Sequence, residues 1–196
     1  MDYSEVIEFV KKTTSENENK GKKTFKSRYE HTMRVYRWAI RLQAKLGGDL
    51  DVIVLAALLH DVGHEEGRPS NEVSAEVAVE YLDSIGVDQE LIVKVGEIIM
   101  AHVDKDTDRD LSLECRIVMD ADLLDEVGAI GIMRDCMSTA VEDEASYKRA
   151  YYSIKEFYRT IKPKISQCKT DTARNEFSKR LQVVEGYIYQ LERELF

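Results

Sequence analysis

The chain has 196 residues, 43% of them hydrophobic and 33% charged, with a formal net charge of −9. That balance excludes a disordered or fibrous protein and suits one folded domain over residues 1–196. The acidic excess also argues against a large nucleic-acid surface, because such affinity is built from many Lys and Arg contacts to phosphate; a small phosphorylated ligand stays compatible.

The one strongly apolar run, Val52 to Leu59, is too short to cross a bilayer. The opening residues lack the basic flank and apolar stretch of a secretory signal, so the expected address is cytoplasmic, with no membrane contact. Cys115, Cys136 and Cys168 are odd in number and widely spaced, which reads as reduced packing residues rather than disulfides or a thiolate metal site.

Apolar residues recur at helical spacing almost throughout and only Pro69 and Pro163 interrupt, so the fold class is all-α. Tyr3, Val6, Ile7 and Val10 predict a short first helix, and the polar stretch Thr13 to Lys23 a loop after it. From His31, the series Val35, Trp38, Ala39, Leu42 and Leu46 marks the inner face of a second helix closed by Gly47 and Gly48.

Asp49 or Asp51 caps a third helix, apolar all round and therefore central, which delivers His60 and Asp61 at its end with Gly63 as its stop. Pro69-Ser70-Asn71 starts a fourth helix carrying Val73, Val77, Tyr81, Leu82 and Ile85, with Gly86 as its stop. Asp88 caps a fifth, which sets Leu91, Val95, Ile98, Ile99 and His102 on one stripe. Ser112 begins a sixth, with Asp120, Asp122 and Asp125 among its residues, and periodicity does not choose among those aspartates.

Farther on, Tyr147, Tyr151, Ile154, Phe157, Tyr158 and Ile161 share one face before a break near Pro163. The last helix steps through Phe177, Leu181, Val184, Ile188, Leu191 and Leu195. A seam of that kind fits a homodimeric coiled coil, but it is too short to establish one, and an ordinary core helix is the preferred reading.

All four histidines, His31, His60, His64 and His102, fall in the first part of the chain among acidic residues. Neutral imidazole and ionised carboxylate are the usual ligands of divalent transition metals, and interior His beside interior Asp is costly unless paired or metal-bound. His60 and Asp61 project about 100° apart on a helix. They address one ion only near the helix end, with His31 and an aspartate of the later helix completing the shell. The spacing His60-Asp61-Val62-Gly63-His64 superficially suggests a zinc protease, but Asp replaces the Glu that motif needs and Gly63 falls where a continuous helix is required.

The order His31, then Leu58-Leu59-His60-Asp61-Val62-Gly63, then Met119-Asp120-Ala121-Asp122-Leu123-Leu124-Asp125 resembles the HD superfamily of metal-dependent phosphohydrolases. The continuation Glu126-Val127-Gly128-Ala129-Ile130-Gly131-Ile132 is similar to a subgroup of small bacterial members. The resemblance implies an all-α helical bundle with its HD core at about 25–134, and C-terminal helices at about 142–196 packing on it. It also implies a metal held by His31, His60, Asp61 and Asp122, which leaves Asp120 and Asp125 as helix-surface carboxylates or carboxylates behind the ligands.

Some members add histidines for a second metal, which makes His64 and His102 candidates. In the branch that hydrolyses guanosine tetraphosphate, an acidic pair follows the His-Asp motif at the positions of His64 and Glu65, so Glu65, with His64 beside it, is the expected acid/base. The implied activity is hydrolysis of a phosphoester or phosphoanhydride in a nucleotide or related small metabolite. One or two divalent ions (Mn, Co, Ni, Zn, Fe or Mg) would serve it, with Asp61 at the reacting centre. Arg28, Arg34, Lys105 and Arg134 are the candidate phosphate contacts, and Lys22, Lys23 and Lys26 form a small basic patch. The alternatives are a catalytically silent nucleotide sensor or dimeric adaptor on the same fold, and an HD-type di-iron oxygenase.

Overall fold

The structure, a computed structural model, describes residues 1–18, 27–63, 68–105 and 110–196, and among these the regular structure is entirely helical. The chain divides into two compact units, Met1–Asp122 and Leu123–Phe196.

In the first unit, α1 (Ser4–Glu18), α2 (Arg28–Leu46), α3 (Leu50–Leu59), α4 (Ser70–Ser84) and α5 (Gln89–Ala101) precede α6 (Leu113–Glu126), within which the unit ends. Helix α3 is the axis of the unit: every residue from Val52 to Leu59 is buried, and α1, α2, α4 and α5 pack around it. A helix apolar on all faces is stable only when surrounded in this way. Its start is held by Asp49, whose side chain accepts from the amides of Asp51 (3.0 Å) and Val52 (3.3 Å). The Asp49 amide in turn donates to Glu114 Oε1 at 3.0 Å, tying the first turn of α6 to the beginning of α3.

Helix α1 corrects one sequence expectation, since it continues through Thr13–Glu18, where a loop is predicted. Val6, Val10 and Thr14 form one buried stripe at four-residue spacing, and the Thr14 hydroxyl donates to Val10 O at 2.7 Å, so a polar residue is buried without an unpaired group. The rest of the predicted loop, Asn19 to Lys23, lies outside the described residues.

Gly63 is a second correction. It lacks the left-handed conformation of a helix stop. A Cβ there would lie 2.6 Å from Ser74 N and Val73 C, and the Gly63 amide donates to Ser74 Oγ at 3.0 Å. The glycine lets the chain leaving α3 lie directly on the backbone of α4.

In the second unit, α7 (Ala129–Ala140), α8 (Tyr147–Ile161), a 3-10 helix (Lys162–Gln167) containing Pro163, and α9 (Asp171–Leu195) follow the end of α6. Gly128, at φ 94°, separates α6 from α7. The stripe on α9 is used internally: Val184 joins Ile132 and Ile154 in a buried cluster, against which Ile188 and Leu191 pack. The three cysteines are free, and no helix among the described residues is long and apolar enough to cross a membrane.

Candidate metal centre

Helices α3 and α5 end side by side in the same local design. His60 follows the last residue of α3 and is 1% exposed; His102 follows the last residue of α5 and is 3% exposed. Each ring turns its Nδ1 back onto the carbonyl three residues earlier, His60 to Ala57 O at 2.9 Å and His102 to Ile99 O at 2.6 Å. A carbonyl only accepts, so Nδ1 carries the proton in both rings and Nε2 keeps a lone pair. The rings meet nearly perpendicular, with centroids 5.1 Å apart. The carbonyl ends of two helices also bring partial negative charge to this point.

His31 reaches the same place from the first turns of α2, whose start is fixed by Ser27 accepting from the Glu30 amide. His31 Nε2 lies 3.3 Å from His60 Nε2, 3.4 Å from Asp122 Oδ1 and 3.9 Å from Asp61 Oδ2, and His60 Nε2 is 4.0 Å from Asp61 Oδ2. Ligands about 2.1 Å from a common ion stand about 3.0 Å apart at right angles and about 4.2 Å apart when opposite. The separations of these pairs fall in that interval, so the residues could hold a divalent ion.

Among the described residues, two groups of donors each have a ligand atom per residue within 4.8 Å of one another: His31, His60 and Asp122, and His60, Asp61 and His102. His60 is common to both, and with its Nδ1 on Ala57 O only the Nε2 lone pair is left, so the two groups cannot hold separate ions at once through that ring.

The protonation states suit the same occupant. Burial pushes the Asp61 carboxyl up, but the adjacent His60 and His31 outweigh it and hold it below the ordinary range. Burial also opposes the charge on Asp122, yet the His31 hydrogen bond and the Lys105 ammonium hold that carboxyl well below its usual value. Burial, and then the neighbouring His60 ring, push His102 down to about 4. Near pH 7 the centre therefore offers ionised carboxylates and a neutral His102, the forms that bind cations.

The other expected residues are placed less uniformly. Lys105 comes to the centre, its Nζ donating to Asp122 Oδ2 at 2.5 Å, so it meets a proposed ligand where a phosphate contact is predicted. Arg28 and Arg34 flank His31 on α2 at three-residue spacing, both half-buried. Arg134, in the second unit, donates to Glu126 O at 3.1 Å. His64, Glu65, Lys22, Lys23 and Lys26 lie outside the described residues. Asp120 and Asp125 are buried, not carboxylates of the helix surface. Sequence reasoning missed that Lys105 holds Asp122; its position three residues after His102 was the available signal.

The model of the HD domain matches residues 28–126, a span that contains all the converging donors. The YpgQ protein of Bacillus subtilis is 28% identical over 171 residues, covering 85% of this chain and 83% of its own. The crystal structure of YpgQ in complex with ADP superposes with a TM-score of 0.70 at 26% identity, covering 97% of this chain and 94% of that one. An HD-superfamily hydrolase from Bacillus thuringiensis gives 0.69 at 26%, covering 96% and 97%. With half of its length matched by the family model, the chain belongs to the HD domain family.

Proposed function

We propose that this protein is a metal-dependent phosphohydrolase acting on a nucleotide or a related small phosphorylated metabolite, with His31, His60, Asp61 and Asp122 as the metal ligands. The observation that carries the reading is that His31 Nε2 lies 3.3 to 3.9 Å from a donor atom of each of the other three, and His60 Nε2 4.0 Å from Asp61 Oδ2. The likeness to a hydrolase of the same superfamily supports the reaction class, and the ADP held by YpgQ supports a nucleotide.

Held by these residues, a divalent ion would supply a Lewis acid for a phosphoryl oxygen and would lower the pKa of a water. The chain does the rest. Ala57 O and Ile99 O fix the tautomers of His60 and His102, so both Nε2 lone pairs face the centre without a search among rotamers. His102 is the further donor available to the same ion. Asp61 and His31 are partly exposed whereas His60 and His102 are buried, so substrate and water approach from the Asp61 side. Lys105 adds fixed positive charge beside the ligands, suited to an anionic substrate. Glu65, with His64 next to it, is the proposed proton-transfer group, following the His-Asp pair in sequence.

The test is phosphate or pyrophosphate release from a nucleotide panel, using metal-stripped protein resupplied separately with Mn, Co, Ni, Mg and Zn. Metal-dependent turnover that disappears in Asp122→Ala is the expected result. Silence with every metal from folded, metal-loaded protein would refute a nucleotide hydrolase.

A further inference from the structure

Lys105 stands out among the charged groups of the first unit. Its side chain is 14% exposed and that of Asp122 is 13%, so the pair is a nearly buried one. The Lys105 backbone is set by a tight turn after α5, with Asp104 N donating to Ala101 O and Lys105 N to Val103 O, both at 3.1 Å. The ammonium takes Oδ2, whereas Oδ1 of the same carboxylate is the atom that faces His31. Asp122 is thereby divided: one oxygen is committed to Lys105 and the other is left for the shared centre.

The charge balance has a consequence. Counting only the charges of Asp61, Asp122 and Lys105, the empty donor set is one charge negative, and a divalent ion makes it one charge positive. Without Lys105 the empty set would be doubly negative and the loaded one neutral. An ammonium on a ligand carboxylate therefore weakens attraction for the ion while strengthening attraction of the loaded centre for an anion.

Resting on the metal-centre reading above, we propose that Lys105 couples ion binding to phosphate binding: it lowers the affinity of the substrate-free centre for a divalent ion and raises the affinity of the loaded centre for a diphosphate group. It acts on the ion through Asp122, as a positioning residue, and on the anion through its charge. A merely structural Lys105 would behave differently, because loss of its hold on Asp122 would weaken both binding steps together.

The test uses the full chain and two probes, Mn²⁺ alone and inorganic pyrophosphate on the Mn-loaded protein, each followed by calorimetry at fixed salt. Lys105→Met is expected to bind Mn²⁺ at least about tenfold more tightly than the native protein, and pyrophosphate at least about tenfold more weakly, a unit charge across one carboxylate acting to about that order even in water and more strongly in a nearly buried pair. Lys105→Arg keeps the charge and should stay within about threefold of native for both probes. Mn²⁺ binding that weakens in Lys105→Met, or pyrophosphate binding that does not change, would overturn the proposal. So would loss of both in a misfolded Lys105→Met if Lys105→Arg, folded, also departed from native for either probe. A native protein that binds Mn²⁺ while Lys105→Met binds it no more tightly refutes only the coupling. A native protein that binds no Mn²⁺ refutes the metal centre itself and the coupling with it.

Discussion

Replacing Gly63 by Ala inserts one methyl group where the chain leaving α3 touches α4. The new Cβ would meet Ser74 N and Val73 C at 2.6 Å and Val73 O at 2.7 Å, all backbone atoms of a helix. Ordinary contact requires about 3.4 Å or more, so the two segments must separate by most of an ångström. Overpacking of this kind costs about 1–3 kcal/mol, and separation also strains the Gly63 to Ser74 hydrogen bond, worth about 1 kcal/mol. Taking about 3 kcal/mol together, and about 2–4 °C per kcal/mol for a chain of this size, thermal unfolding should move down by about 6–12 °C. Because Asp61 lies two residues earlier, Mn²⁺ affinity should fall as well. Gly186→Ala is the control: nothing lies within 4 Å of its Cβ position inside α9, and it should raise stability by about 1 kcal/mol. A Gly63→Ala protein that melts within about 1 °C of native, with unchanged Mn²⁺ affinity, would refute the close-packing account.

Three further outcomes follow. In metal-stripped protein His102 has a folded pKa of about 4 against an unfolded value of 6.5. The unfolded chain therefore takes up that proton first, and stability is full above about pH 6.5 and lost as the pH falls toward 4, by up to about 3 kcal/mol. Urea midpoints against pH should show this slope in native protein and not in His102→Asn; equal slopes would contradict it. Asp49→Ala removes the acceptor for two amides of α3 and should cost about 1 kcal/mol by denaturant unfolding with little change in Mn²⁺ affinity. Phe177, fully buried on α9, should cost about 3–5 kcal/mol when changed to Ala, whereas a coiled-coil seam predicts a change of oligomeric state on size-exclusion chromatography instead.

Much of the first unit was legible because its signals are physically redundant. The run Val52 to Leu59 is apolar on every face and capped by Asp49, and such a helix can only be central; that places His60 and Asp61 at its buried end. His31 and His102 each continue an apolar stripe, so their inward direction followed from period alone.

What escaped has equally specific causes. Thr14 looks polar in sequence because its compensation, a bond to Val10 O, exists only once the helix is formed. Gly63 carried a turn signal that did not distinguish a positive φ from a close backbone approach. Helix α7 was not anticipated, since Gly128 and Gly131 interrupt the pattern; Gly131 sits where a Cβ would lie 2.6 Å from the Phe157 ring, a packing requirement invisible to periodicity. The choice of Asp122 over Asp120 and Asp125 came from resemblance, and in the structure Asp122 is the one beside His31. Lys105 could not be distinguished from any other loop cation until its Nζ was seen on Asp122.

The converging His and Asp side chains are expected to bind one divalent ion. The most direct test is Mn²⁺ binding by metal-stripped native protein, Asp61→Ala and Asp122→Ala, with stoichiometry read by elemental analysis. One ion per native chain is expected, with loss of binding in both variants while their folded circular dichroism is retained. Native-like binding in either variant, or two ions per native chain, would contradict it.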